Sequence, residues 1–232
     1  LCYDEEVKNF LKKKIKKCTL ITTSDIENKN QKITKKKYRN FNEKHGVYRL
    51  AYADYLLHKI KKPIHLIDSD IFFFSKPSIL NNLVKYNKAS IAFAKHNYYF
   101  KKKEMENKYG IYNAGYIYFN YDKNSLNFLK KYREFCFNFI SWNTKKRGKS
   151  NFADQTYLET LIKMYKNVYV IKHRGVNTAP WNIGGYKITK KNNSFYIDDE
   201  ILIFYHFSGI RSLLNKFFFF NLHHYNKKNM PD

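Results

Sequence analysis

Residues 63–77 read PIHLIDSDIFFFSKP, and the fold turns on how that stretch is taken. Ile64, Leu66 and Ile67 form a short, dense apolar run, the mark of a buried strand in an α/β sheet. Asp68-Ser69-Asp70 interrupts the run where such a strand ends. Two carboxylates then stand at the carboxyl end of a core strand, the edge at which open α/β sheets bind ligands. One residue separates them, and a regular strand points both to the same side. Together they suit one hard divalent cation, Mn²⁺ or Mg²⁺, of the kind shared between carboxylates and a substrate's phosphates. Taken alone, the triplet reads first as a turn that ends a strand, because D-x-D is a short pattern. The apolar strand before it and Ile71-Phe72-Phe73-Phe74 after it bring the two readings level.

A chain of 232 residues, 44% hydrophobic and 19% aromatic, is long and apolar enough for one α/β domain and is not a disordered polymer. No stretch approaches the ~18 apolar residues that cross a bilayer, and the charged first segment lacks the apolar centre of a secretory signal. Cys2, Cys18 and Cys136 are odd in number and widely spaced, which points to free thiols in a reducing, cytoplasmic compartment. The net charge of +25 has two readings. A strongly cationic surface attracts nucleic acid or anionic lipid. Alternatively, the excess of Lys, Asn, Ile, Tyr and Phe is the residue usage of an A/T-rich genome. The lysines are scattered and the runs at 12–17 and 35–37 carry no Arg-rich base-reading pattern, so no nucleic-acid partner is expected. A pull toward an anionic membrane surface survives either reading.

Along the chain, Val7, Phe10, Leu11 and Ile15 recur at helical spacing, residues 18–21 read as a short strand, and 22–25 as a turn or cap. Residues 27–44 are polar and read as a surface loop or exposed helix. A helix is predicted over 45–58, with Arg49 near its start, then a helix after Pro77 and a strand over 90–94. This alternation argues for a predominantly α/β sheet. In YGIYNAGYIYFN, residues 109–120, the glycines read as flanking a turn before a strand at 116–119. Asn113, Ala114 and Gly115 join an amide to small neighbours, so they are either an ordinary turn or a place where a bulky ligand approaches the backbone.

A long amphipathic helix is predicted from Leu126 to near Trp142, then a polar loop at 145–150, and another helix opening at Phe152-Ala153-Asp154-Gln155. Asp154 is either an N-cap or, with Gln155, a pair that holds sugar hydroxyls in a cleft. Residues 168–171 read as a strand, 187–197 as a hairpin around Asn192-Asn193, and 201–205 as a last buried strand ending at His206. Trp181 either stacks on a sugar ring or plugs the core. His206 is either structural or completes a metal site. Phe217 to Phe220 with the following histidines and lysines make an aromatic, basic tail that docks on the core or meets a membrane.

The order of these motifs, Asp68-Ser69-Asp70, Asn113-Ala114-Gly115 with Asn120, Asp154-Gln155 and His206-Phe207-Ser208-Gly209, resembles that of nucleotide-sugar glycosyltransferases with the GT-A fold. The likeness is to the group of glycogenin and bacterial lipooligosaccharide galactosyltransferases, and to bacterial proteins with a nucleotide-diphospho-sugar transferase domain. It covers roughly residues 45–210. The resemblance implies a Rossmann-like mixed sheet flanked by helices, in one catalytic domain over 1–210 with a tail over 211–232. It implies metal ligation by Asp68, Asp70 and His206, with Mn²⁺ or Mg²⁺ holding the donor's diphosphate. Arg49 is then expected near the diphosphate, and Asn113, Ala114, Gly115 and Trp181 around the donor. Asp154 and Gln155 fall to the reacting sugar.

The family's late His opens an H-x-x-G-x-x-K-P-W segment, whereas here Ile210-Arg211-Ser212 follows Gly209, so Arg211 replaces the phosphate-contacting Lys in a different register. Relatives also begin with a strand and helix that contact the base, and Leu1 is expected to start after that unit. The implied reaction is retaining transfer from a UDP-sugar to a glycan or lipid-linked acceptor, at the cytoplasmic face of a membrane. The alternatives are a basic nucleic-acid-binding module, or an inactive membrane-associated scaffold.

Overall fold

The structure is a computed structural model that describes residues 1–28, 31–139, 153–213 and 217–220, with backbone alone for 31, 139, 211–213 and 217–220. Two helices open the chain, α1 (Glu5–Lys14) and α2 (Thr23–Glu27). Asp4 accepts from Val7 N at the head of α1, and Thr22 with Asp25 makes a capping box for α2. The strand expected at 18–21 does not form. Only Ile21 of that run is buried, too little to anchor a ladder, and the segment contributes an isolated bridge between Cys2 and Thr22. After α3 (Gln31–Lys35), helix α4 (Phe41–Ile60) begins ahead of the predicted 45. Asn40 caps it by accepting from Glu43 N at 3.0 Å, so residues 41–44, the end of the polar 27–44 segment, are helix.

The sheet is built from β1 (Ile64–Ile67), β3 (Ile91–Lys95), β4 (Tyr112–Phe119) and β5 (Val168–Ile171), in the order β1-β4-β3-β5. β2 (Ile71–Phe73) stands apart from it. β4 runs antiparallel to both neighbours, while β3 and β5 are parallel, which makes the sheet mixed. Strand alternation sorts its side chains. Ile91, Phe93, Ile117 and Phe119 join α4, α7 (Lys123–Phe139) and α8 (Leu158–Met164) in one core, and Ala92, Ala94, Tyr116 and Tyr118 join α5 (Ser78–Tyr86) in the other. Each fully buried Phe or Ile here stabilises the fold by about 1.5–3 kcal/mol. α6 (Lys102–Tyr109), which connects β3 to β4, buries no residue and carries no apolar periodicity to betray it.

Two expectations are corrected by pairing between distant segments. Asn113-Ala114-Gly115 is not a turn but lies inside β4, because Tyr112 and Asn113 pair with Lys95 and Ala94 across a bulge in register. Residues 201–205 are not one strand. β8 (Glu200–Ile201) joins β6 (Ile188–Lys191) and β7 (Ser194–Ile197), whereas β9 (Phe204–His206) pairs with β2. Between them Ile203 N donates to Gly175 O at 2.8 Å, and the chain changes sheets. Asp68 and Asp70 lie in the turn that ends β1, as the triplet taken alone reads. The hairpin at 188–197 forms as expected, with Asn192 and Asn193 at φ 46° and 62°, the values its two-residue turn requires. β10 (Ile210–Leu213) pairs with β11 (Phe217–Phe220) beyond β9. Trp142, the loop at 145–150, Phe152 and the tail from 221 onward lie outside the described residues. No helix among the described residues is long and apolar enough to cross a membrane.

Candidate active site

Two pairings bring the two aspartates to His206. Asp68 N donates to Gly115 O at 2.8 Å, extending the β1–β4 ladder one rung and setting Asp68 beside the small end of the Asn-Ala-Gly run. The β2–β9 ladder places Ile71 opposite His206, and Phe207 N donates to Asp70 O at 2.7 Å. The result is that one ligand atom each of Asp68, Asp70 and His206 lies within 4.8 Å of the others. His206 Nε2 is 3.2 Å from Asp70 Oδ1. Ligand atoms about 2.1 Å from an ion sit about 3–4 Å apart, so the two carboxylates and the imidazole close around a cation with small side-chain movements.

A cavity of about 550 Å³ opens over this cluster, lined also by Asn113, Ala114, Gly115, Asp154, Gln155 and Trp181. Arg49, in α4, is buried beneath it. Its NH1 is 3.0 Å from Asp154 Oδ2, and its NH2 is 3.1 Å from Asp68 Oδ1 and donates to Ala114 O at 2.6 Å. Burial works against its charge, but Asp68 and Asp154 more than offset this and hold its pKa above the ordinary value. Asp154 is therefore not an N-cap, since its side chain makes no capping bond and pairs with Arg49 instead. Burial pushes the Asp68 carboxyl above the usual aspartate range against the pull of Arg49. Asp70 moves the other way, because the His206 hydrogen bond and charge outweigh its burial.

Gln155 Nε2 donates to Tyr109 O at 2.6 Å, and Asn113 Oδ1 accepts from Gly115 N at 2.9 Å, so both amides are held in fixed orientations at the cavity wall. Trp181 takes the core-plug role of its two readings. It packs with Tyr98 and Ala179 and also lines the cavity, edge-on to His206 with ring centroids 5.1 Å apart. Gly209 sits at φ 80° in the turn before β10, and Ser208, not Gly209, lines the cavity. The side chain of Arg211 lies outside the described residues.

Gly115 has no room for a side chain, because a Cβ there would lie 2.8 Å from both His206 Nδ1 and Asn113 Oδ1. Gly115→Ala is expected to push the imidazole out of the cluster, costing about 1–3 kcal/mol of stability and at least about tenfold in Mn²⁺ affinity. Thermal melts and Mn²⁺ calorimetry check this, and retained affinity would count against the geometry.

Three residues at the cavity escaped the sequence reading. His45 stands one turn before Arg49 on α4 and bonds Tyr3 OH at 2.7 Å, a placement that i, i+4 spacing makes legible in retrospect. Lys108 of α6 lines the rim. His96, at the end of β3, is stacked on Tyr98 with Nε2 3.2 Å from Asn113 Nδ2. Burial pulls the His96 pKa down to about 3. Between about pH 3 and the ordinary ~6.5 the unfolded chain binds a proton that the folded chain does not. Stability therefore falls as pH drops through that window, by at most about 1.4 kcal/mol per pH unit. Urea denaturation at about pH 7 and about pH 4.5 should show a smaller loss on acidification in His96→Gln than in the wild type.

The family model described as nucleotide-diphospho-sugar transferase matches residues 1–218. The uncharacterized protein YfnD of Bacillus subtilis (strain 168) is 32% identical over 152 residues, which are 66% of this chain and 48% of that protein. The uncharacterized protein YfnF of the same organism is 29% identical over 223 residues, 91% of this chain and 71% of that protein. The chain thus spans about half the length of the first of these relatives. Among solved structures, mouse xyloside xylosyltransferase 1 in its apo form is similar at a TM-score of 0.45 and 15% identity, over 87% of this chain and 79% of that one.

Proposed function

This chain belongs to the nucleotide-diphospho-sugar transferase family, and from that premise we propose that it is a metal-dependent glycosyltransferase that moves a sugar from a UDP-sugar to a glycan or lipid-linked acceptor, with retention of configuration. Its mixed sheet flanked by helices is consistent with the GT-A type. The observation that carries the proposal is the meeting of Asp68, Asp70 and His206 at one wall of the cavity. Cavities of about 300–1,000 Å³ are the ordinary size for small-molecule sites. Two carboxylates favour a hard cation and the imidazole favours a transition ion, so Mn²⁺ fits the donor set better than Mg²⁺.

A cation held by these three residues would supply Lewis-acid neutralisation of the departing nucleoside diphosphate. The protein's own groups supply position. Arg49 holds Asp68 and Asp154 in place through two ion pairs, and this is the role we assign it in place of a diphosphate contact. Gln155, pinned by Tyr109 O, and Asn113, pinned by Gly115 N, present oriented amides to the sugar. Trp181 walls the same space with an aromatic surface. Family membership supports a nucleotide-sugar donor. The net charge of +25 supports work at the cytoplasmic face of an anionic membrane.

Calorimetric titration of UDP, with GDP and ADP as comparators, tests the reading with and without Mn²⁺, in the wild type and in Asp68→Ala. UDP is expected to bind only with Mn²⁺ and not to bind the variant. Preference for another nucleotide overturns the UDP assignment, and binding indifferent to metal and to Asp68 overturns the cation site.

A further inference from the structure

His206 is held by a buried asparagine that no motif singles out. Asn177 is 1% exposed and sits at φ 61°, a left-handed conformation that asparagine tolerates better than most residues. Its Nδ2 donates to Lys95 O at 3.1 Å, which orients the amide and leaves Oδ1 as an acceptor. That Oδ1 lies 3.4 Å from His206 Nδ1, while the opposite ring nitrogen, Nε2, faces Asp70. The loop itself is clamped. Asn182 Nδ2 donates to Asn177 O at 3.0 Å and to His96 O at 2.8 Å, and Asn182 Oδ1 accepts from Ala179 N at 2.9 Å. His206 N donates to Thr178 O at 2.8 Å, so ring and loop are tied together by backbone as well. Asn177, Thr178, Asn182 and His206 are all buried, and in such surroundings a ring cannot exchange its partner for water.

We propose that Asn177 is a positioning residue for metal binding. By accepting from His206 Nδ1–H once a cation takes Nε2, it would keep the ring turned with Nε2 toward Asp70 and Asp68, an oriented ligand. The inference rests on the proposed cation site and adds how the chain readies its imidazole for it. Three contacts then fix the ring: Asn177 at one nitrogen, the edge-on Trp181 against its face, and the missing Cβ of Gly115 beside its carbon edge. No covalent step is involved. Only Nε2 would enter the coordination, and the proton it shares with Asp70 in the metal-free chain would leave to solvent.

The test separates orientation from mere loop integrity. Asn177→Gly keeps the left-handed backbone without strain and deletes the acceptor. Asn177→Asp keeps an acceptor for Nδ1–H but cannot donate to Lys95 O. Asn182→Ala loosens the same loop and leaves the Asn177 acceptor in place. Imidazole ¹⁵N spectra of the wild type loaded with diamagnetic Zn²⁺ at about pH 8, above the ordinary imidazole pKa, are expected to show His206 with its proton on Nδ1. The same signal is expected in Asn182→Ala and lost in Asn177→Gly. Calorimetry with Mn²⁺ is expected to show affinity lower by about 10–100-fold in Asn177→Gly and close to wild type in Asn177→Asp. An Nε2–H tautomer in the Zn²⁺-loaded wild type, unchanged Mn²⁺ affinity in Asn177→Gly, or no rescue by Asn177→Asp overturns the inference. A wild-type chain that binds neither Mn²⁺ nor Zn²⁺ overturns the cation reading and the inference resting on it, whereas tight binding left unchanged in Asn177→Gly overturns the inference alone.

Discussion

Asp70→Asn is expected to lower metal-dependent donor turnover by about 10³-fold, equivalent to ~4 kcal/mol of barrier, while leaving the fold in place. The side chain keeps its shape, and the backbone that positions it is held independently. Phe207 N still donates to the carbonyl of residue 70, and Ile71 still pairs with His206. What the change removes is one of two anionic ligands, and with it half of the negative charge that makes the cluster attractive to a dication. It also removes the partner that draws the Asp70 carboxyl and the His206 ring together at 3.2 Å. Release of nucleotide from a panel of nucleotide sugars, followed with and without Mn²⁺, reads the effect directly. Turnover that matches the wild type at equal Mn²⁺ would remove Asp70 from the metal site and the Lewis-acid step with it.

The second large effect is on stability. Arg49→Met is expected to cost about 3–5 kcal/mol at neutral pH, because it leaves the buried Asp154, and the half-buried Asp68 beside it, without their shared counter-charge at the cavity wall. The sign of its pH dependence follows from the same physics. Two carboxylates without a cation nearby favour their protonated forms in the folded state, which raises their folded pKa values above the unfolded ~3.9. The penalty is then fully present well above those values and shrinks as pH falls through them. Urea denaturation of the wild type and Arg49→Met at about pH 7 and about pH 4.5 should show the two curves drawing together on acidification. A loss under about 1 kcal/mol, or one that does not change with pH, would mean that Arg49 contributes no more than an exposed ion pair does.

Segments whose signal is local were legible. The apolar run at Ile64–Ile67, the helix through Arg49, the strand at Ile91–Lys95 and the Asn192-Asn193 hairpin all announce themselves in a few consecutive residues, by periodicity or by turn chemistry. The Asn113-Ala114-Gly115 run misleads for the same reason. Its local chemistry is that of a turn, and only pairing with Lys95 and Ala94 draws it into β4. α6 was missed because a helix that buries nothing has no apolar stripe to read. Asn177 and His96 were missed because a buried polar residue gains its meaning from partners far along the chain, Lys95 and His206 for the first and Asn113 for the second.

The sequence by itself determined the chemistry on offer: two carboxylates one residue apart after an apolar strand, an amide beside two small residues, an acid with an amide, and a late histidine, in that order. Only the tertiary structure decided which of them meet. His206 reaches Asp70 because β9 pairs with β2 in one register, and a slip of one residue would turn its ring to the opposite face. That register is set by hydrogen bonds and burial between segments far apart in the chain, which no local pattern encodes. Likewise Arg49 was readable as a cation near the site, but the pull of the buried Asp154 and the half-buried Asp68, which only folding brings together, assigned it to those two carboxylates.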